Sequence, residues 1–203
     1  MSIILTRSIT VAVAAAALIV TTAATGAAGG GGEPAPSTVA QALVLHDGSG
    51  DVWTYSDATV GFTHAARPDA DVLRATIVAG SANLRVRMVY DDLRLRATQW
   101  YRVQVRTPQH TIRFILEAKK GHWGGTAFRE VAGEWVAATR VTHHIDYAKD
   151  VVTVRVPVQA LGNPAWVQVR LRSDLGVDAG TFFTDNPMTH RAHSAFSDQL
   201  QLP

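Results

Sequence analysis

Hydrophobic and polar residues alternate along much of the chain with a period of two, most clearly between residues 150 and 172. Because successive side chains of a β-strand point to opposite faces, this period indicates two strands that each bury one face. The outward positions of both strands carry arginine, at Arg155 and at Arg170 and Arg172. The inward positions are Val152, Val154, Val156, Val167, Val169 and Leu171.

The same alternation predicts further strands, which include 71–79, 84–90, 99–106 and 111–118. Glycine, proline, asparagine and aspartate separate them at intervals of about 8 to 12 residues, and no stretch has a convincing amphipathic-helix pattern. This combination is typical of an all-β protein. We therefore predict an antiparallel β-sandwich, jelly-roll-like, with about ten short strands.

The N-terminal residues predict export. Residues 1–28 contain a short segment with Arg7 as its only charge, an apolar run at 9–20 and then small residues, which is the pattern of a signal peptide. The apolar run is shorter than the roughly 20 residues that cross a bilayer, so a retained anchor is the less favoured alternative. Residues 29–38 have the composition of a Gly/Pro-rich linker, and 39–203 form the predicted sandwich domain. We expect a secreted protein of the cell envelope or the extracellular space.

Composition narrows the function classes. The chain contains no cysteine, which excludes disulfides, a lipid-modified cysteine and a cysteine nucleophile. The net charge is only +2, but lysine and arginine outnumber the acids between 71 and 174, whereas both ends of the domain are acidic. The domain therefore has to be stabilised by its own hydrophobic core, and its basic middle favours an anionic or polar partner.

A resemblance follows from short motifs. In VTVRVPVQALGNPAWVQVRL a strand ends at Pro157, where a proline cannot extend the ladder, and 158–162 allow one helical turn before the next strand. This arrangement, together with DGSGDVW, TDNP and FSDQLQL, resembles DOMON-like and family-9 carbohydrate-binding-like sandwiches. The chain after the linker is also similar to a group of secreted actinobacterial proteins with no assigned role. The resemblance implies sugar binding, haem binding in some DOMON domains, or a structural Ca²⁺ ion.

The outward arginines and two tryptophans form the first candidate site. Guanidinium groups bind carboxylate, sulfate and phosphate groups in a bidentate manner, and tryptophan offers a flat apolar surface to a sugar. The partner we expect is an extracellular glycan or an anionic envelope polymer rather than a nucleic acid. An ordinary solvated strand face is the alternative, and the arginines act together only if their strands share a sheet. The candidate ligand-binding residues are Trp100, Arg102, Arg106, Arg155, Trp166, Arg170 and Arg172.

Aspartates at the two ends of the domain form the second candidate site. Asp47, Ser49 and Asp51 have the spacing of part of a Ca²⁺ loop, and Asp185 joins them if the first and last strands pair. Asp57, Asp178 and Asp198 are further acids of the same two regions. Turn formation by these aspartates is the simpler interpretation. A structural Ca²⁺ ion at Asp47, Asp51 and Asp185 is the one cofactor that the sequence suggests.

Signatures of catalysis are weak. His143 and His144 are adjacent and would point to opposite faces of a strand, and the pair His190 and His193 has no third ligand at a typical zinc spacing. The chain has no G-x-S-x-G, H-E-x-x-H or phosphate-binding glycine motif. The sequence thus favours a secreted, non-catalytic binding module. An extracellular hydrolase with a site in the loops around His122, His143 and Asp185, and a purely structural envelope protein, remain open alternatives.

Overall fold

The computed structural model describes residues 39–56, 60–63, 67–177, 181–188 and 195–203. The predicted signal peptide and linker, at 1–38, lie outside the described residues. These described residues contain fourteen β-strands: β1 (Gln41–His46), β2 (Trp53–Ser56), β3 (Val60–Thr63), β4 (Val72–Ala79), β5 (Asn83–Tyr90), β6 (Thr98–Arg106), β7 (Thr111–Lys119), β8 (His122–Val131), β9 (Glu134–Ala137), β10 (Thr142–Asp146), β11 (Val151–Pro157), β12 (Trp166–Gly176), β13 (Thr181–Asp185) and β14 (Leu200–Gln201).

The strands form two sheets. Five of them pair in the order β1-β4-β5-β11-β10, and nine belong to a second sheet with the order β3-β2-β13-β12-β6-β7-β8-β9, to which β14 is attached through β12. All of the described pairings are antiparallel. The predicted all-β antiparallel sandwich is thereby confirmed. In the described part of the chain, no helix has the length and apolar character needed to cross a membrane.

Strands are more numerous than the sequence predicts. The sequence predicts one strand in the stretch 52–62, whereas the structure has β2 and begins β3 there. Strand β10 is also unexpected, because THHID has only one large aliphatic side chain, Ile145, and offers almost no alternation. This segment is a strand because it pairs with β11, so a tertiary contact sets its conformation where the local sequence pattern gives no prediction.

The core lies between the inner faces of the two sheets. Strand β6 shows the alternation, because Tyr101, Val103 and Val105 are buried whereas Trp100 and Arg102 on the opposite face are half-exposed. The predicted inward residues of β11 and β12 are buried as well. Burial of a Val or Leu side chain is worth about 1.5 to 3 kcal/mol, so this continuous core can stabilise the domain without disulfides. The period of two therefore assigned the inner and outer faces correctly.

The connection between β11 and β12 follows the predicted pattern. Strand β11 ends at Pro157, and Val158–Leu161 form a single 3₁₀ turn. Gly162 then adopts a left-handed conformation with φ of 82°, and its N–H donates to Gln159 O at 3.2 Å. Glycine reaches this conformation without a steric cost, so the chain can reverse here and enter β12.

Candidate functional site

Four of the predicted arginines lie on the outer face of the nine-stranded sheet. In the antiparallel register of β6 and β12, Arg102 is opposite Arg172, whereas Gln104 is opposite Arg170 and Gln168 is opposite Arg106. Arg102, Arg106, Arg170 and Arg172 therefore form two adjacent rows on one surface. Trp100 lies on the same face of β6, two residues before Arg102.

Two predicted site residues lie apart from Trp100 and Arg102. Arg155 lies on β11 of the five-stranded sheet, opposite Arg85, so it belongs to the other outer surface of the sandwich. Trp166 shares the outward parity of β12, but it lies at the start of the strand, two residues before the partner of Arg106 and six residues, about 20 Å, from Arg172. The seven candidate residues therefore do not form one site, because strand order and position along the strand separate two of them.

A groove of about 440 Å³ runs over the outer face of the nine-stranded sheet. Two of the predicted residues, Trp100 and Arg102, line it. Aromatic side chains from strands on both sides of β6 also line it. Trp135 remains 42% exposed, so its indole is accessible to a ligand. The residues that line the groove are Trp100, Arg102, Ile115, Glu117, Phe128, Trp135 and Phe182.

Trp100 is held in one orientation within the groove. Its Nε1–H donates to Glu117 Oε1 at 3.2 Å across the β6–β7 pair, and its ring lies 5.7 Å from that of Phe182 at an angle of 56°. The six-membered part of the indole covers Gly176 of β12, where a Cβ atom would lie only 2.8 Å from the ring. Gly176 thus provides the space that lets the indole lie against the sheet.

Asp174 fixes the arginines beside the groove. Its side chain is only 2% exposed and accepts hydrogen bonds from Nε of Arg102 and, at 2.6 Å, from Nε of Arg172. The two guanidinium groups share one carboxylate, and each side chain keeps about a third of its surface exposed (35% and 32%). Charge-assisted hydrogen bonds of this kind are strong and directional, so Arg102 is a positioned rather than a mobile cation.

Further along the same face the balance of charge is different. Arg106 and Arg170 stack on the ring of Phe196, with guanidinium carbons 4.0 and 4.8 Å from its centre. Arg170 Nε also donates to Gln104 Oε1 at 3.0 Å, and no described carboxylate lies within ion-pair distance of either arginine. Burial, followed by the neighbouring Arg113, Arg106 and Arg172, lowers the pKa of Arg170 below its usual value. This second patch is therefore a cationic surface with an aromatic centre.

Most of the groove residues were absent from the sequence-based prediction. Ile115 is an apolar residue at an outward position of β7, and this exception to the alternation was the available signal. Phe128 and Trp135 come from the β8–β9 hairpin and Phe182 from β13. The sequence does not show that these strands lie on the two sides of β6, beyond its neighbours β12 and β7, because that depends on the order of strands in the sheet.

The predicted acidic residues converge at another place. Carboxylate oxygens of Asp47, Asp51 and Asp185 lie within 4.8 Å of one another. Asp185 is on the inner face of β13, where its Oδ2 accepts the N–H of Val72 and its Oδ1 accepts the N–H of Asn186, both at 2.6 Å. Because Val72 begins β4 of the other sheet, Asp185 links the two sheets directly. Asp57 and Asp178 lie outside the described residues, and Asp198 is exposed and is not part of this group.

Burial and mutual repulsion shape the ionisation of these carboxyl groups. Burial, with the negative charge of Asp51 as the next cause, raises the pKa of Asp47 to about 8. Burial, followed by the charge of Asp47, raises the pKa of Asp185 to about 8. Burial also raises the pKa of Asp71, although a hydrogen bond from Gly50 opposes the shift. The cluster resists full ionisation unless a cation is present.

Of the residues of the hydrolase alternative, Asp185 lies far from His122. His122 begins β8, and four strand spacings, about 19 Å along the sheet, separate β8 from β13, where Asp185 lies. Nε2 of His143 is 3.1 Å from Gly125 O and thus takes part in joining β10 to β8. His190 and His193 lie outside the described residues.

Comparison with known proteins gives no match among family models, curated proteins or solved structures. The resemblance to DOMON-like and family-9 carbohydrate-binding-like domains therefore stays a prediction from short motifs.

Proposed function

We propose that this chain is a secreted, non-catalytic binding module for carbohydrate, with the groove on the outer face of the nine-stranded sheet as its binding surface. The observation that carries the proposal is the composition of the groove. Aromatic side chains from β6, β9 and β13 surround a single arginine and a single glutamate, Arg102 and Glu117. Export is supported by the pattern of residues 1–28.

The groove chemistry suits a sugar ring. The C–H faces of a sugar can pack on the indoles of Trp100 and Trp135, as apolar surfaces generally do on aromatic rings. Hydroxyl groups at the ring edge both donate and accept, and they find a donor in Arg102 and an acceptor in Glu117. A volume of about 440 Å³ is in the range of small-ligand sites, so the groove can hold a short stretch of a glycan chain.

Charge favours an uncharged glycan in the groove. The guanidinium of Arg102 is already engaged by Asp174, and Glu117 is paired with Lys119 at 2.7 Å. An anionic ligand would have to compete with Asp174 for the arginine, whereas a neutral hydroxyl can use its remaining donors.

Binding without catalysis is supported by the carboxylates. Most glycosidases use two of them, one on each side of the scissile bond. Among the described residues that line the groove, Glu117 is the only carboxylate, and it is engaged by Trp100 and Lys119. A ligand would therefore be held but not cleaved.

The cationic patch supports a second candidate, an anionic envelope polymer. Arg106 and Arg170 have no described carboxylate within ion-pair distance, and Phe196 keeps their guanidinium groups side by side. Such a pair can bind a phosphate or uronate group in a bidentate manner. Binding at this patch should weaken strongly with salt, whereas binding in the groove should not.

The test is a titration of the purified chain with neutral gluco-, xylo- and manno-oligosaccharides and with polyuronate and teichoic acid, at 50 and 500 mM NaCl. The proposal predicts that a neutral glycan binds with little dependence on salt. Trp135→Ala should weaken that binding by about fivefold or more, since an aromatic contact is worth about 1 kcal/mol or more. Trp166→Ala is the matched control on the same face and should bind like the wild type. Absence of binding to any neutral glycan, or equal binding by Trp135→Ala, would overturn the proposal.

A further inference from the structure

We propose that Asp47, Asp51 and Asp185, with Asp71 beside them, form a calcium-binding site that fastens the loop between β1 and β2 to both sheets. This site is separate from the groove and goes beyond the proposed carbohydrate binding. It lies between the two sheets, where the start of β4 contacts the end of β13.

Three segments of the chain supply the ligands. Asp47 and Asp51 lie in the loop after β1, Asp185 ends β13, and Asp71 directly precedes β4. The oxygens of the first three lie within 4.8 Å of one another, which fits a shared Ca²⁺ ion, because opposite ligands at 2.3–2.6 Å are about 5 Å apart. A cation here would connect the N-terminal loop to one sheet through β4 and to the other through β13.

The side chain of Asp71 gives independent support for a cation at this cluster. Its side chain is buried, with the residue 2% exposed, and its Oδ1 accepts no hydrogen bond from the described residues. Its Oδ2 accepts the N–H of Gly50 at 2.6 Å, so the carboxylate is directed at the loop that carries Asp47 and Asp51. A buried carboxylate oxygen without a partner is costly, and a metal ion is one way to satisfy it.

Other buried carboxylates of the chain have arginine partners. Asp69 is met by Arg67 and Arg96, at 3.3 and 2.9 Å, and Asp174 has two arginines as well. Among the described residues, no lysine or arginine lies within ion-pair distance of Asp71 or Asp185. The chain thus compensates the charge of some buried aspartates internally and leaves that of others to an external ion.

The donor set selects the metal. All candidate side-chain ligands are carboxylates, with no nitrogen or sulfur, and a hard ion such as Ca²⁺ prefers oxygen ligands. Ca²⁺ accepts 6 to 8 oxygens in flexible arrangements, which suits ligands from a loop and two strands and leaves room for water and carbonyl oxygens. Mg²⁺ demands a stricter octahedron with shorter bonds and is the less suitable ion.

The experiment is a calorimetric titration of the full chain, freed of metal with EDTA, with CaCl₂ and separately with MgCl₂. We expect one saturable Ca²⁺ site, much weaker Mg²⁺ binding, and a melting temperature about 5 to 10 °C higher in saturating Ca²⁺. Tb³⁺ luminescence excited through Trp53, two residues from Asp51, provides a second readout.

Asp51→Asn tests the assignment of the site, and Asp198→Asn, a change at an exposed aspartate outside the cluster, is its control. Asp51→Asn should weaken Ca²⁺ binding at least tenfold and reduce the Tb³⁺ signal, while Asp198→Asn should behave like the wild type. The proposal is overturned if the wild type shows no saturable binding up to 10 mM CaCl₂, or if Asp51→Asn binds Ca²⁺ as the wild type does. Glycan binding in the groove is measured separately, so either proposal can fail alone.

Discussion

Asp174 and Asp185 lie on two paired strands, β12 and β13, and each is 2% exposed, yet their charged neighbours have opposite signs. Asp174 faces outward and accepts hydrogen bonds from Arg102 and Arg172. Asp185 faces inward, where its nearest charged neighbours are Asp47 and Asp51.

The difference separates two kinds of site. Where a buried carboxylate is compensated by arginines, it holds those side chains in place, and the surface beside it becomes a rigid groove. Where a buried carboxylate is surrounded by other acids, the fold is complete only with a proton or a cation. Burial alone does not distinguish the two regions, because the partners of each carboxylate decide its role.

The pH dependence of stability should show this contrast most strongly. In the metal-free protein, Asp185 has a pKa of about 8 when folded and about 3.9 when unfolded. Its contribution to stability is complete below pH 4 and is lost as pH rises towards 8, at a limiting slope near 1.4 kcal/mol per pH unit. Thermal melts between pH 5 and pH 8.5 should therefore show a falling melting temperature.

Two variants sharpen that measurement. Asp185→Asn removes one of the titrating groups and should make the curve less steep, with Asp47 still contributing, whereas Asp174→Asn should leave the slope unchanged. Saturating Ca²⁺ should also flatten the curve of the wild type, since the ion holds the carboxylates ionised. A wild-type melting temperature that rises from pH 5 to pH 8.5 without metal would contradict the assignment.

Removal of the compensated carboxylate should have the next largest effect. Asp174→Asn leaves Arg102 and Arg172 close together without their shared counter-ion, and we expect a loss of about 2 kcal/mol in the free energy of unfolding. This value is below that of a fully buried pair because both arginines are about one-third exposed (35% and 32%). Chemical denaturation measures it. Asp92→Asn, which removes an exposed ion pair with Arg94, is the control and should unfold like the wild type.

A methyl group at Gly176 should disturb the groove without removing any charge. Gly176→Ala places a Cβ 2.8 Å from the indole of Trp100, so the ring must lift from the sheet and glycan binding should weaken by about tenfold. Gly124→Ala is the matched control, because nothing lies within 4 Å of its added Cβ. Titration of both variants with the same oligosaccharide decides the point, and equal affinities would show that the position of Trp100 is unimportant.

Substitutions on the outer face of the five-stranded sheet should have the smallest effect on binding and stability. Arg155 lies directly opposite Arg85 there, and like charges in that position repel each other. Arg155→Thr should therefore leave glycan binding unchanged and raise the free energy of unfolding slightly, by about 0.5 kcal/mol. Lost glycan binding in this variant would mean that the binding surface has been assigned to the wrong sheet.

The sequence predicts the strands and their buried faces well because alternation is a local property. It also identifies Trp100 and Arg102 as outward residues and Asp47, Asp51 and Asp185 as acids that meet if distant strands approach one another. What it does not contain is the order of the strands.

Strand order decides the rest of both sites. The contact of Trp100 with Gly176, and that of Arg102 with Asp174, join residues that are far apart in sequence and meet only because β6 lies beside β12. For the same reason Arg155, whose local pattern is that of the other arginines, is on the opposite side of the molecule.

The most direct test of the central claim is a ¹H–¹⁵N spectrum of the five tryptophan indole N–H groups during titration with a bound neutral oligosaccharide, each signal being assigned by substitution. Binding in the groove predicts that the signals of Trp100 and Trp135 shift and saturate together, while those of Trp53 and Trp166 stay in place. Saturable binding that leaves Trp100 and Trp135 unchanged, or that shifts Trp166 instead, would contradict the account.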